Sequence, residues 1–347
     1  MLADDRDPGF IFLMDISGKR VLVTGGAGFI GSELVRQLVE KRAEIVVVDN
    51  LVNGRRENLE GLPGDTVRLV VADIRDSELM QRLVDGMQII FHLACLGVRH
   101  SIHSPRENHE VNAVGTLNML FAARAAGIER FVYVSSSEVY GTARWAPMTE
   151  QHPTFPKTIY GASKLAGECY ARSFHDTYGF PSVVIRPFNS YGPRCHHEGD
   201  SGEVIPKFLL RCMAGRPMVI FGDGTQTRDF TYVADSARGI IQTGTSDNAI
   251  GETVNLGSGR EISINELARE VGLALEQPEP AVEYIESRPG DVLRLCADMS
   301  NARQLCGYQT SISLRDGLKR LREWYQAQSI PPELLLKDEI VQNWRAG

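Results

Sequence analysis

The stretch from Lys19 to Asp49 permits few folds. Lys19-Arg-Val-Leu-Val-Thr24 is a short β-branched run that stops at glycines, and Gly25-Gly26-Ala27-Gly28-Phe29-Ile30-Gly31 follows. Two glycine frames fit, Gly26-x-Gly28-x-x-Gly31 and Gly25-x-x-Gly28-x-x-Gly31. From Phe29 to Lys41 the apolar residues Ile30, Leu34, Leu38 and Val39 recur at helical spacing. Ile45 to Val48 reads as a second strand, and it ends at Asp49. Strand, glycine turn, helix, strand, acid is the dinucleotide-binding arrangement. Its glycines let the backbone approach a pyrophosphate at a helix N-terminus, and the acid bonds ribose hydroxyls. Asp49 favours NAD, because a carboxylate repels a 2′-phosphate. Arg55 and Arg56 keep NADP as a minority alternative, and their plainer reading is two solvated surface arginines.

Strands and helices then alternate. Val67–Val71 is a strand ending at Asp73-Ile74, a lid for an adenine. Ser77–Asp85 is a helix, and Ile89–Leu93 a buried strand ending Ala94-Cys95. Asn112–Gly127 is a long helix, and Phe131–Val134 a strand. This alternation specifies an α/β fold with a Rossmann-type doubly wound parallel sheet. After about residue 190 the loops lengthen. Val204–Met213 reads as a helix, Pro217–Phe221 as a short strand and Thr253–Leu256 as one more core strand. A last helix is expected after Pro331-Pro332, carrying Leu334, Leu335, Ile340 and Val341. The expected division is an arm at 1–17, a cofactor domain at 18–190 plus about 220–257, and a smaller α+β lobe at about 191–219 plus 258–347.

The net charge of −7 carries no basic stripe for nucleic acid. Six cysteines without a Cys-x-x-Cys pair read as reduced thiols of a cytoplasmic protein. The apolar run Gly9–Met14 is too short to cross a bilayer and lacks the basic flank of a leader. Neither nucleic acid nor membrane is expected as a partner. Cys195-His196-His197-Glu198 has no second ligand pair at metal spacing, so no metal is expected. His92, inside an apolar strand, reads as a satisfied core histidine.

Ser135 to Lys164 carries the chemistry. Ser135-Ser136-Ser137-Glu138-Val139-Tyr140 follows directly on the strand, and the segment closes with Tyr160-Gly-Ala-Ser-Lys164. Tyr and Lys four apart share one face of a helix. There the ammonium can lower the pKa of a phenol that otherwise sits near ~10. Ser136, at the end of the strand, completes a proton-handling group for oxidising a sugar hydroxyl. Tyr140 reads as packing in the turn.

The glycine turn, Asp49, Ser136…Tyr160-x-x-x-Lys164 and Arg186-Pro-Phe-Asn-Ser-Tyr-Gly-Pro193 together resemble the extended short-chain dehydrogenase/reductases that modify nucleotide sugars. The resemblance covers about residues 18 to 325. It implies tightly held NAD, a nucleotide-sugar lobe, and a homodimer built on helices at about 112–127 and 160–178. It also implies that Tyr160 takes the proton of the sugar 4-hydroxyl, that Ser136 bonds the same oxygen, and that Lys164 bonds the nicotinamide ribose. Ser137 and Glu138 resemble the turn of UDP-glucuronate decarboxylases and of some 4,6-dehydratases, whereas Tyr160-Gly-Ala-Ser-Lys164 is closer to 4-epimerases. The segment from Phe188 to Asp200 also resembles the decarboxylases, but Glu203 or Ser201 stands where they carry an Arg.

Candidate cofactor contacts are then Gly25, Gly28, Phe29, Ile30, Gly31, Asp49, Asn50, Asn53, Gly54, Asp73, Ile74, Leu93, Ala94, Cys95, Asn112, Tyr160, Lys164 and Pro187. Candidate contacts to a UDP- or dTDP-sugar are Arg99, Asn189, Glu203, Val204, Lys207, Val219, Phe221, Gln226, Arg228, Arg288 and Asp291. Asn189, Arg228 and Arg288 would meet phosphates, Asp291 the ribose, and Phe221 and Val219 the base. Arg99, His100 and His103 would lie near the hexose. UDP-glucuronate decarboxylation is the leading expectation. 4,6-Dehydration and 4-epimerisation follow, and a non-enzymatic NAD-binding module is disfavoured by the intact proton relay.

Overall fold

A computed structural model describes residues 11–199, 201–287 and 292–342. The first half alternates as expected: β1 Arg20–Thr24, α1 Phe29–Glu40, β2 Glu44–Asp49, β3 Val67–Val71, α2 Ser77–Val84 and β4 Ile89–His92. Next come the short α3 Val98–His103 and α4 Pro105–His109, then α5 Thr116–Ala126, β5 Arg130–Val134, α6 Ile159–Tyr178 and β6 Ser182–Pro187. The second half holds β7 Asn189–Tyr191, α7 Val204–Met213, β8 Met218–Phe221, β9 Thr227–Tyr232, α8 Val233–Thr245 and β10 Thr253–Leu256. It ends with β11 Glu261–Ser263, α9 Ile264–Ala274, β12 Val282–Ile285, α10 Ser300–Cys306, α11 Leu314–Ala327 and α12 Pro332–Leu335.

Seven strands form one sheet in the order β10-β6-β5-β4-β1-β2-β3, every neighbouring pair parallel. The strands read as continuous apolar runs because both faces are covered. Their two-residue period sorts side chains into two cores. Val21, Val23, Ile45, Val47, Val183 and Ile185 pack with Leu34 and Leu38 of α1 and Ile240 of α8. Leu22, Val46, Ile90, Phe131 and Val184 pack with α2, α5 and α6 through Met80, Met119, Leu120 and Phe174. A third core joins α7, α9 and α11 through Phe208, Leu209, Leu267, Val271 and Leu321. Beside it lie the small sheets β11-β9-β7 and β12-β8.

Two expectations about elements change. The helix expected from Asn112 begins earlier. It runs from Pro105 through a wider-wound π-helical stretch, Glu110–Gly115, into α5. The final helix stops at Leu335, and Ile340 and Val341 lie beyond it in extended and bent chain. Residues 12–14 of the arm lie against the end of α8, with Met14 N–H on Thr245 O at 2.8 Å and Asp247 N–H on Phe12 O at 3.2 Å.

Candidate active site

One cavity of about 670 Å³ runs along the carboxyl ends of the large sheet and is closed on its far side by α7, β8 and β9. Ligands of doubly wound sheets bind at this edge. The turn after each strand contributes: Gly25 and Gly28 after β1, Asp49 and Asn53 after β2, Ala94 and Cys95 after β4, Ser136 and Glu138 after β5, and Asn189 after β6.

The glycine turn needs its glycines. Gly25 has φ of 69°, in the left-handed region. A Cβ on Gly31 would sit 2.1 Å from Gly25 O, so only glycine lets α1 pack this closely on the turn. α1 starts at Gly28 with no side-chain cap. The first N–H groups, on cavity-lining Phe29 and Ile30, therefore suit a pyrophosphate. Asp49 accepts from Ala27 N–H at 3.0 Å and Leu51 N–H at 2.9 Å, which aims its carboxylate across the cavity floor. Burial pushes this carboxyl above the usual carboxylate range, and the two amides oppose the rise. A Cβ on Gly54 would lie 2.6 Å from the carboxylate, so the loop after β2 folds onto it only as glycine. These features fit an adenosine ribose and a pyrophosphate. Arg55 is paired with Glu198, which removes it as a ready partner for a 2′-phosphate.

Tyr160 stands in the first turn of α6, whose N-cap Thr158 accepts from Gly161 N–H at 3.0 Å. The Ser136 hydroxyl and the Cys95 thiol both meet its phenol. Ser136 Oγ accepts from Glu138 N–H at 3.2 Å, which fixes the hydroxyl in the turn. Lys164 is buried and anchored on the end of β5. It is 1% exposed, it donates to Val134 O at 2.6 Å, and its ammonium lies 4.5 Å from the centroid of the Tyr133 ring. Lys164 is not among the largest influences on the Tyr160 phenol. Burial dominates, raising the phenol and lowering the ammonium, and the Ser136 hydrogen bond acts against it.

Three expected contacts sit behind the wall. Besides Lys164, Asp73 is engaged by Arg75 at 2.8 Å and by Asn50 at 3.2 Å. Asn112 is buried and brackets the loop after β4, accepting from Leu96 N–H at 2.8 Å and donating to Leu96 O at 3.0 Å and Ser163 Oγ at 3.0 Å. Arg288 and Asp291 lie outside the described residues. Apart from His103, the other candidates from the sequence, Ile74, Leu93, Arg99, Ser137, Pro187, Glu203, Val204, Lys207, Val219, Phe221, Gln226 and Arg228 among them, line the cavity.

His92 behaves as a core histidine. Its ring bridges Thr24 at 2.7 Å and Thr116 at 3.0 Å, and burial holds its pKa down at about 3. His197 packs edge-on against Tyr325, and no metal-ligand group occurs among the described residues. Tyr140 does more than pack. It donates to Asn255 at 2.7 Å and accepts from Arg186 at 2.7 Å, and Arg186 makes two bonds to Glu168, at 2.9 and 2.7 Å. The sequence reading missed this network, and it missed Arg211, Glu339 and Val341 in the cavity wall. Arg211 was within reach of a spacing argument, being one turn beyond Lys207 on the same helix face. Glu339 and Val341 gave no such signal.

The family described as GDP-mannose 4,6 dehydratase matches residues 22–321. The chain belongs to this family of extended short-chain dehydrogenase/reductases. Members of the family use NAD, which supplies the hydride acceptor when bound. The chain is 37% identical over 314 residues to UDP-glucose 4-epimerase of Mycolicibacterium smegmatis, covering 89% of this chain and 99% of the relative. It is 35% identical over 309 residues to UDP-glucuronic acid decarboxylase 1 of Arabidopsis thaliana, covering 87% and 68%. Among solved structures, dTDP-glucose 4,6-dehydratase from Streptomyces venezuelae with NAD bound superposes with a TM-score of 0.83 at 35% identity, covering 88% and 97%. The chain is therefore an NAD-dependent sugar-nucleotide enzyme of the epimerase, dehydratase and decarboxylase group.

Proposed function

We propose that the chain oxidises C4 of a UDP- or dTDP-linked sugar and then acts at C5, with loss of carbon dioxide from UDP-glucuronate as the leading outcome. The observation that carries this reading is one cavity holding the Ser136–Tyr160 pair, the carboxylate of Glu138 and the cation Arg99 together. Tyr160 would accept the 4-hydroxyl proton and Ser136 would hold the oxygen, with bound NAD supplying the hydride acceptor for C4. Lys164, anchored on Val134 O, fixes the strand end against α6 and adds positive charge behind the phenol. The resulting 4-ketone makes a C6 carboxylate a β-keto acid. The C5–C6 bond breaks, carbon dioxide leaves, the bond's electron pair enters the enolate, a proton returns to C5, and the C4 ketone is then reduced again, so the net change is loss of one carbon dioxide. Arg99 suits the incoming carboxylate, and Glu138 in its acid form suits the returning proton.

A second reading is 4,6-dehydration, favoured by Glu138, because a carboxylate in the cavity can remove the C5 proton of a neutral hexose. Purified protein is incubated with UDP-glucuronate, UDP-glucose and dTDP-glucose and the products weighed. Loss of one carbon dioxide from UDP-glucuronate is expected. Loss of water from a hexose supports dehydration, and an unchanged mass with altered retention points to epimerisation.

A further inference from the structure

The family match ends at residue 321, yet two residues beyond it, Glu339 and Val341, line the cavity. They belong to a strap, residues 332–342, laid across α7. Leu335 and Leu336 fasten it to the third core. Its backbone pairs with the loop between β7 and α7: Gly199 N–H donates to Asp338 O at 2.9 Å and Ile340 N–H to Gly199 O at 3.4 Å. The side chains of α7 reach into it. Lys207 donates to Ile340 O at 2.9 Å, and Arg211 Nε lies 3.0 and 3.1 Å from the two carboxylate oxygens of Glu339. This ion pair is sheltered, with side-chain exposures of 13% for Arg211 and 7% for Glu339. Arg211 also donates to Pro217 O at 2.8 Å, and Pro217 precedes β8, whose Val219 and Phe221 line the cavity. The same loop is tied on the cofactor side, where Arg194 donates to Ser32 at 3.0 Å and Arg55 pairs with Glu198.

We infer that the strap completes the nucleotide-sugar pocket at the β8 end, and that the Glu339–Arg211 pair is a positioning element which shapes the seat of a nucleoside diphosphate. Arg211 is consumed by Glu339 and Pro217, so it does not serve as a phosphate cation. It serves as a brace between strap and β8. Removing one partner of a sheltered pair leaves a charge uncompensated and lets the strap lift. The ligand then loses wall contact while the distant Ser136–Tyr160 pair is untouched.

The inference rests on the nucleotide-sugar reading, so binding is measured directly. UDP and dTDP are titrated calorimetrically into the NAD-loaded full chain and into Glu339→Gln, Glu339→Arg and Glu339→Arg/Arg211→Glu. About tenfold weaker binding is expected for both single variants, with recovery in the double variant and unchanged NAD content. Glu339→Gln keeps the shape of the side chain, and its retained NAD content and melting temperature show that it is folded. Unchanged affinity in folded Glu339→Gln overturns the inference. Tighter binding also overturns it, since the strap would then be a competing anion. If the unaltered chain binds neither UDP nor dTDP, the functional reading falls and carries the inference with it, a result distinct from either of the others.

Discussion

At Tyr160 burial and hydrogen bonding pull in opposite directions. Burial keeps the phenol protonated, and Ser136 favours the phenolate. Catalysis therefore depends on charge brought close when the site fills, and on Lys164 being held behind it. Tyr160→Phe is expected to lower turnover by about 10²–10⁴-fold with NAD content unchanged, the size of a lost general acid–base group. Single-turnover absorbance of the reduced cofactor checks it. Glu203 offers a second residue-scale test. Burial pushes its carboxyl up to about 8. In the unfolded chain a Glu releases its proton near ~4.3. Between these values the folded state binds more protons than the unfolded one, so stability falls as pH rises. Glu203→Gln should flatten the decline between about pH 4.3 and 8 in urea midpoints, and a parallel decline in both proteins would refute this.

At the scale of elements, the catalytic helix is fastened from behind. Glu168, one turn past Lys164, is 0% exposed and bonded to Arg186 at the end of β6 and to Arg172 on its own helix. Arg186 in turn holds Tyr140 in the turn that carries Ser136 and Glu138. One buried network thus sets α6, β6 and the serine turn relative to each other. Arg186→Met leaves Glu168 buried without its close partner and should cost about 3–5 kcal/mol in chemical denaturation. The glycine turn predicts a different loss. In Gly31→Ala the new methyl would meet Gly25 O at 2.1 Å, so backbone must move. NAD affinity should fall at least about tenfold, or ~1.4 kcal/mol, in a fluorescence titration. Retained affinity would show that the turn does not seat the pyrophosphate.

At the scale of the molecule, α5 and α6 leave Phe121 and Tyr178 exposed on one side of the sheet, with Arg124 stacked 3.8 Å over the Tyr178 ring. We propose that this side joins two copies, as the resemblance implies. Light scattering should give about twice the mass of 38.4 kDa, and Phe121→Asp should halve it. Among the described residues no helix is long and apolar enough to cross a membrane.

The parallel sheet, the glycine turn and the positions of Asp49, Ser136 and Tyr160 were legible in the residues because they are local. Each depends on a period of two or 3.6, on a glycine spacing, or on a strand end. Strand order, the Arg186–Glu168–Tyr140 network, the anchoring of Lys164 on Val134, and the strap carrying Glu339 to Arg211 were not legible. They join residues 18, 30, 46 and 128 positions apart, and only chain topology brings such partners together. Even the acidity of Tyr160 followed this rule. The sequence placed a lysine one turn away, but tertiary burial decided which way the proton leans.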